Sequence, residues 1–209
     1  MSKSKLNYKV YNGKALKKIF ENSRIFFLAV FFAVGIIFGA VLINKPFGLV
    51  EKITEIAENF MHYRAEKGMG ENFIDSLKVC LSFNIITIFL GFSLIGYPFI
   101  MWLPFLRGLG FGALSGYLYS VYRMTGLGYC VLTVYPGAIV SVFSFLLACN
   151  DSCEYSKNAF AKAIKGRGQF EKEETKYFLT RQMIFASICI ASAATDAVFT
   201  ALFTGFFKI

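Results

Sequence analysis

Histidine occurs once in 209 residues, tryptophan once and proline four times, and only 17% of the chain is charged. Each shortage excludes something. With His62 as the sole imidazole, placed in a polar segment, a serine-histidine intramembrane protease has no base within the bilayer. A zincin needs two histidines and is impossible. Paired-aspartate proteolysis needs two buried carboxylates, and only Asp196 lies within an apolar stretch. Sparse charge, 56% hydrophobic residues and a mean hydropathy of +0.55 exclude a disordered chain and a secreted disulfide scaffold, and are too apolar for an ordinary soluble domain.

What is present is length without charge. The charged residues sit in patches separated by uncharged stretches of 19 to 28 residues, enough to cross a hydrocarbon core of roughly 30 Å as helix. The first, Ile25 to Ile43, is too long for the apolar part of a signal peptide and ends without a small-x-small cleavage site, so it reads as a retained anchor. Between Lys78 and Arg107 the run is longer than one span needs and contains Gly96, Pro98 and Pro104. It divides into helix two, Val79 to Tyr97, and helix three, Pro104 to Tyr122, with Arg107 snorkelling to the interface and Trp102 in the aromatic belt. Helix four is expected from Leu127 to Cys149 and helix five from Gln182 to Phe206. The fold class is therefore an all-α integral membrane protein with five transmembrane helices.

Orientation follows from lysine and arginine counts in the connections. With the N-terminus cytoplasmic and the C-terminus outside, fifteen lie on the inner side and seven on the outer, whereas a four-span reading gives ten against twelve. The organisation is a basic cytoplasmic segment, residues 1–24, one membrane domain, residues 25–206, and a short outer tail, residues 207–209. The net charge of +9 is concentrated on the cytoplasmic flanks, where it reads as topology and contact with anionic lipid of the bilayer, with no nucleic acid implied.

Two polar segments remain, residues 44–78 outside and the cytoplasmic loop 150–181, and neither is long enough to bury a catalytic core of its own. In the outer one Leu49, Val50, Ile53, Ile56, Ala57, Phe60 and Met61 recur at three- and four-residue spacing, the period of an amphipathic helix between helices one and two. Its apolar face, at Ile53, Ile56, Phe60 and Met61, either packs on the bundle or docks a partner. Asn72, with Asp75 three residues on, is placed to cap helix two. The inner loop reads as helix, a Gly166-Arg167-Gly168 turn, and a second helix with an acidic first turn.

Inside the spans, Gly108, Gly112 and Gly116 form a small-residue strip that Gly35 and Gly39 repeat on helix one. Such strips let helix backbones approach closely, within one chain or across a homodimer. Pro136 and Gly137 imply a kink in helix four whose freed carbonyls must face protein or water. Asp196 is the one charge in helix five, and it must face the interior. Ser192 and Thr200 share its face. It is either a proton or ion site or a protonated carboxyl hydrogen-bonded across an interface; the second is favoured because no other intramembrane charge completes a relay, and Asp196→Asn should then leave assembly largely intact. Cys80, Cys130, Cys149, Cys153 and Cys189 lie mostly within spans, where a reduced thiol acts as a small apolar group. Without histidine partners they suggest neither a metal nor a cofactor.

The chain resembles the stage II sporulation protein M family. The carriers are Gly91-Phe92-Ser93-Leu94-Ile95-Gly96-Tyr97-Pro98, then Leu106-Arg107-Gly108-Leu109-Gly110-Phe111-Gly112, then Tyr135-Pro136-Gly137, in that order over roughly residues 16 to 206. The resemblance implies a non-enzymatic scaffold for engulfment during endospore formation, in the septal and mother-cell membrane around the forespore. It would recruit the peptidoglycan hydrolases, sporulation proteins P and D. The alternative from the residues themselves is a small transporter or permease subunit using Asp196.

Overall fold

The computed structural model describes residues 23–43, 55, 58, 59, 64, 67–164 and 172–203. Among them every regular element is a helix. These are α1 (Ser23–Ile43), α2 (Met69–Phe92), α3 (Gly96–Tyr129), a π-helical turn (Cys130–Val134), α4 (Tyr135–Ile164) and α5 (Lys172–Phe203). Four helical stretches are long and apolar enough to cross a membrane: α1, α2, α5 and the 69-residue stretch from Gly96 to Ile164. Ile53, Ile56, Phe60, Met61 and the lone His62 of the outer amphipathic segment lie outside the described residues, as does the Gly166-Arg167-Gly168 turn.

The helix boundaries differ from the charge-based expectation. α2 begins at Met69, ten residues before the uncharged run, because its polar first turns neutralise one another: Asp75 accepts from Lys67 at 2.5 Å and from Lys78 at 3.4 Å. Asn72 does not cap the helix; it donates to the carbonyls of Arg64 and Lys67 and so ties down the chain that leads into it. The reversal between α2 and α3 falls at Ser93 to Ile95 rather than near Pro98 to Leu103. Ser93 is extended, and Gly96 lies so close to the end of α2 that a Cβ there would stand 1.8 Å from the Leu90 carbonyl oxygen. Pro98 then sits in the first turn of α3, where its missing N–H breaks no helical bond.

The long stretch from Gly96 to Ile164 is not straight. Residues 115 and 135 would stand roughly 30 Å apart along one helix axis, yet the Ser115 and Tyr135 hydroxyls meet at 3.1 Å. The chain folds back at Arg123, whose φ of 55° and ψ of −130° break the helix. Beyond it Gly126 lies against the Leu118 carbonyl. A π turn follows immediately before Pro136, with the Tyr135 N–H bonding the Cys130 carbonyl five residues back. The wider turn accommodates the proline and bends the entry to α4.

α1 packs against α3 at backbone distance. A Cβ on Gly35 would lie 2.3 Å from the Phe105 carbonyl oxygen, and one on Gly39 2.3 Å from that of Leu109. In return Gly108 faces the Phe32 carbonyl at 2.2 Å and Gly112 that of Ile36 at 2.0 Å, while Gly116 meets Ala40. Both strips are consumed by one intrachain interface. Close approach multiplies dispersion contacts, the available drive where lipid tails are as apolar as the side chains.

The outward surface is apolar, with Phe26, Phe89, Trp102, Met124, Ile139 and Met183 all mostly exposed. Two apolar clusters fill the interior, one around Tyr117, Tyr129 and Val134, the other around Leu28, Ile100 and Phe145. Along α3 and α4 the polar residues Arg107 and Ser141 fall between them.

A valine in place of Gly112 should drive the helices apart and cost about 1–3 kcal/mol, read as earlier unfolding in detergent. Gly110, whose Cβ position is open, should accept alanine with no comparable loss.

Candidate functional site

A cavity of about 430 Å³ opens among α2, α3, α4 and α5. Its polar wall is built around Asp196, on the buried face of α5 with Ser192, Ala193, Ala197 and Thr200. Helix period alone groups those residues. The partner comes from elsewhere. Arg64, in the segment before α2, reaches inward so that its guanidinium donates to the Asp196 carboxylate and, at 2.8 Å, to the Thr200 hydroxyl. Ser76 of α2 donates to the same carboxylate oxygen. Both charged side chains are only 10% exposed.

The hydrogen bond across a helix interface is present, from Ser76, but the expectation that Asp196 lacks a charged partner is corrected by Arg64. A lone carboxyl in a bilayer would be favoured in its neutral form. Here a guanidinium and a hydroxyl both donate to the Asp196 carboxylate. Arg64 was not recognisable as a partner because it precedes the apolar run, 132 residues away in sequence.

Gly137 explains how α5 comes this close to α4. A Cβ there would sit 2.5 Å from the Cβ of Asp196, and the Gly137 carbonyl accepts a hydrogen bond from Ser192 at 2.8 Å. Pro136 and Gly137 thus do two things: they redirect α4 after the π turn, and they leave a flat place on which the Asp196 turn rests.

Arg107 is the second correction. It does not snorkel; it is 6% exposed. Its guanidinium lies over the rings of Phe83, 5.0 Å from the centroid, and Phe145, at 4.6 Å, and donates to the Ser141 hydroxyl. Eleven residues into α3, it is about 16 Å from the helix start, too deep for the side chain to reach either end. Glycines on the neighbouring face hold α3 against α1, so the arginine is directed to the opposite, protein-lined side.

Beside it, Cys80 of α2 and Cys189 of α5 are joined as a disulfide, with Cα atoms 5.9 Å apart. Cys130, Cys149 and Cys153 are free and buried. The expectation that all five act as apolar thiols therefore holds for these three only. At the other end of α4 and α5, Asp151 pairs with Arg181 at 2.8 Å, Lys162 with Glu174 at 2.6 Å, and Gln182 donates to Ser152 at 3.2 Å. These contacts zip α4 to α5 past the expected ends of the spans.

Because removing one member of a buried pair leaves an uncompensated charge, Asp196→Asn should destabilise the bundle by about 3–5 kcal/mol. The double variant Arg64→Gln with Asp196→Asn should recover much of that loss. Denaturant titration of the purified protein in detergent reads both, and additivity of the two single changes would show that they do not act as a pair.

The stage II sporulation protein M family profile matches residues 28–201, which includes the glycine-packed pair, the kink and the Asp196 face. No curated protein and no solved structure matches the chain. The match covers well over half of the chain and coincides with its membrane-type helices. This chain belongs to the stage II sporulation protein M family.

Proposed function

We propose that this protein is a non-enzymatic membrane scaffold for engulfment during endospore formation. It positions peptidoglycan hydrolases, sporulation proteins P and D, at the septal and mother-cell membrane. The single observation that carries this reading is the family match over residues 28–201, which spans the packed helices from α1 to α5. The packing supports it: α1 and α3 are locked at backbone distance, and the Arg64–Asp196 pair ties the segment before α2 to α5. A bundle held in this way keeps its helix ends at fixed positions, which is what a docking platform requires.

In this reading the chain crosses the membrane five times, with the N-terminus inside. The fold-back at Arg123 divides the long third stretch into two crossings, since about 100 Å of straight helix would exceed the hydrocarbon core more than threefold. The excess of lysine and arginine in the connections sets the direction. A second reading, a transporter or permease subunit using Asp196, draws on the cavity that this residue lines. Equal solute or ion flux through proteoliposomes of the native protein and of Asp196→Asn would end it.

Two measurements test the scaffold. Tagged protein solubilised from sporulating cells in mild detergent should carry at least one of the two hydrolases with it, and recovery of neither from an intact membrane complex would overturn the assignment. Topology is read by thiol labelling in intact cells. The native cysteines are bonded or buried, so Met124→Cys should be labelled from outside and Lys157→Cys only after permeabilisation; the reverse pattern would invert the topology.

A further inference from the structure

The cavity contains a charge that the scaffold reading does not use. Among its lining residues the cations are Arg64, Lys78 and Arg107 and the anions are Asp75 and Asp196. Arg64 is matched by Asp196, and Lys78 shares Asp75 with Lys67. Arg107 has no carboxylate partner among the described residues. Its hydrogen bond goes to the Ser141 hydroxyl, and its Nη1 is buried with no hydrogen-bond partner among the described residues. The rings of Phe83 and Phe145 offset part of the charge, but they leave in-plane N–H donors unused. A guanidinium at mid-depth costs about 2.5–3.5 kcal/mol on insertion scales, and an aliphatic residue would pack there without that penalty.

We propose that this cavity is a binding site for a phosphate group, seated on Arg107. The chemistry of the site selects the group. A phosphate ester is a far stronger acid than a carboxylic acid, so it arrives from an apolar phase still ionised, where a carboxylic acid tends to arrive protonated. It supplies the counter-charge that Arg107 does not find among the described residues. With Nη2 given to Ser141, the Nη1 donors of the guanidinium are the ones left for a phosphate oxygen, a charge-assisted hydrogen bond. Val79, Val134, Ala138 and Ala193 supply apolar wall for the body of the ligand. The volume of about 430 Å³ lies within the ordinary range for small-ligand sites. The entrance is on the Lys78 side, where that side chain is 70% exposed while still lining the cavity. The phosphate comes from a lipid headgroup entering between helices or from a free phosphate in water; the same donors serve both.

The test uses the full chain purified in a neutral detergent and follows its unfolding temperature against three probes: dioctanoyl phosphatidylglycerol, dioctanoyl phosphatidylcholine and inorganic phosphate. Phosphatidylglycerol should raise the unfolding temperature saturably, with phosphatidylcholine at least tenfold weaker. A saturable, Arg107-dependent rise with inorganic phosphate would identify the aqueous source, and a rise with phosphatidylglycerol alone the lipid source. Arg107→Gln should weaken the apparent affinity at least tenfold, and Lys78→Gln less than threefold. Ala138→Leu, which occupies the cavity and leaves the guanidinium in place, should abolish the response and decides the matter if Arg107→Gln does not fold. Equal saturable responses to the two lipids, unchanged affinity in Arg107→Gln or Ala138→Leu for the probe that responds, or no saturable response to either phosphatidylglycerol or phosphate would each overturn the proposal. None of these outcomes bears on recovery of the hydrolases, so the site and the scaffold stand or fall separately.

Discussion

A charge carried into hydrocarbon is costly unless it is neutralised by gaining or losing a proton or meets a counter-charge at contact, and the Arg64–Asp196 pair is where this bundle brings two charges together. Other features are arranged around it. Ser76 brings α2 to the same carboxylate, Thr200 extends the network one turn along α5, and Gly137 removes the side chain that would hold α4 away. The pair also anchors the chain just ahead of α2, which Asn72 secures further through the Arg64 and Lys67 carbonyls. Because its members come from three separate segments, such a network specifies one arrangement of helices more sharply than apolar packing does. The disulfide between Cys80 and Cys189 joins the same two helices, α2 and α5, nearby.

The second constraint is steric. Helices in lipid gain nothing from excluding water at their contacts, so their association depends on how closely their backbones meet. In α1 and α3 the glycines alternate across the interface, each against a carbonyl of the other helix. This leaves the large side chains of α1, including Phe26 and Ile37, facing outward. It also fixes the rotation of α3, and with it the side on which Arg107 emerges. The burial of that arginine is thus a consequence of glycines on the facing side of the same helix.

Much of this was readable in the residues. Long uncharged runs mark the apolar helices, because a helix crossing hydrocarbon has almost no other choice of composition. The small-residue strips at Gly35, Gly39, Gly108, Gly112 and Gly116 announce close packing, and Pro136-Gly137 a bend, because local geometry alone demands these residues. Helix ends were read less well. A boundary placed at the first charged residue assumes that charge meets solvent, whereas in α2 and α4 the charges at the ends are paired and the helices run on. The turn before α3 was displaced for a similar reason: a proline was taken for a breaker when it sits in a first helical turn.

What the sequence determined by itself is the solvent of this protein, its helical class and its family-bearing motifs, since these follow from composition and from spacing within single elements. Only the tertiary structure decided which residues are partners. Arg64 and Asp196, Gly112 and Ile36, and Arg107 with Phe83, Phe145 and Ser141 are brought together from distant segments. The physical reason is that helix periodicity tells which side chains share a face, while the identity of the facing helix, its depth and its rotation depend on contacts summed over the whole bundle.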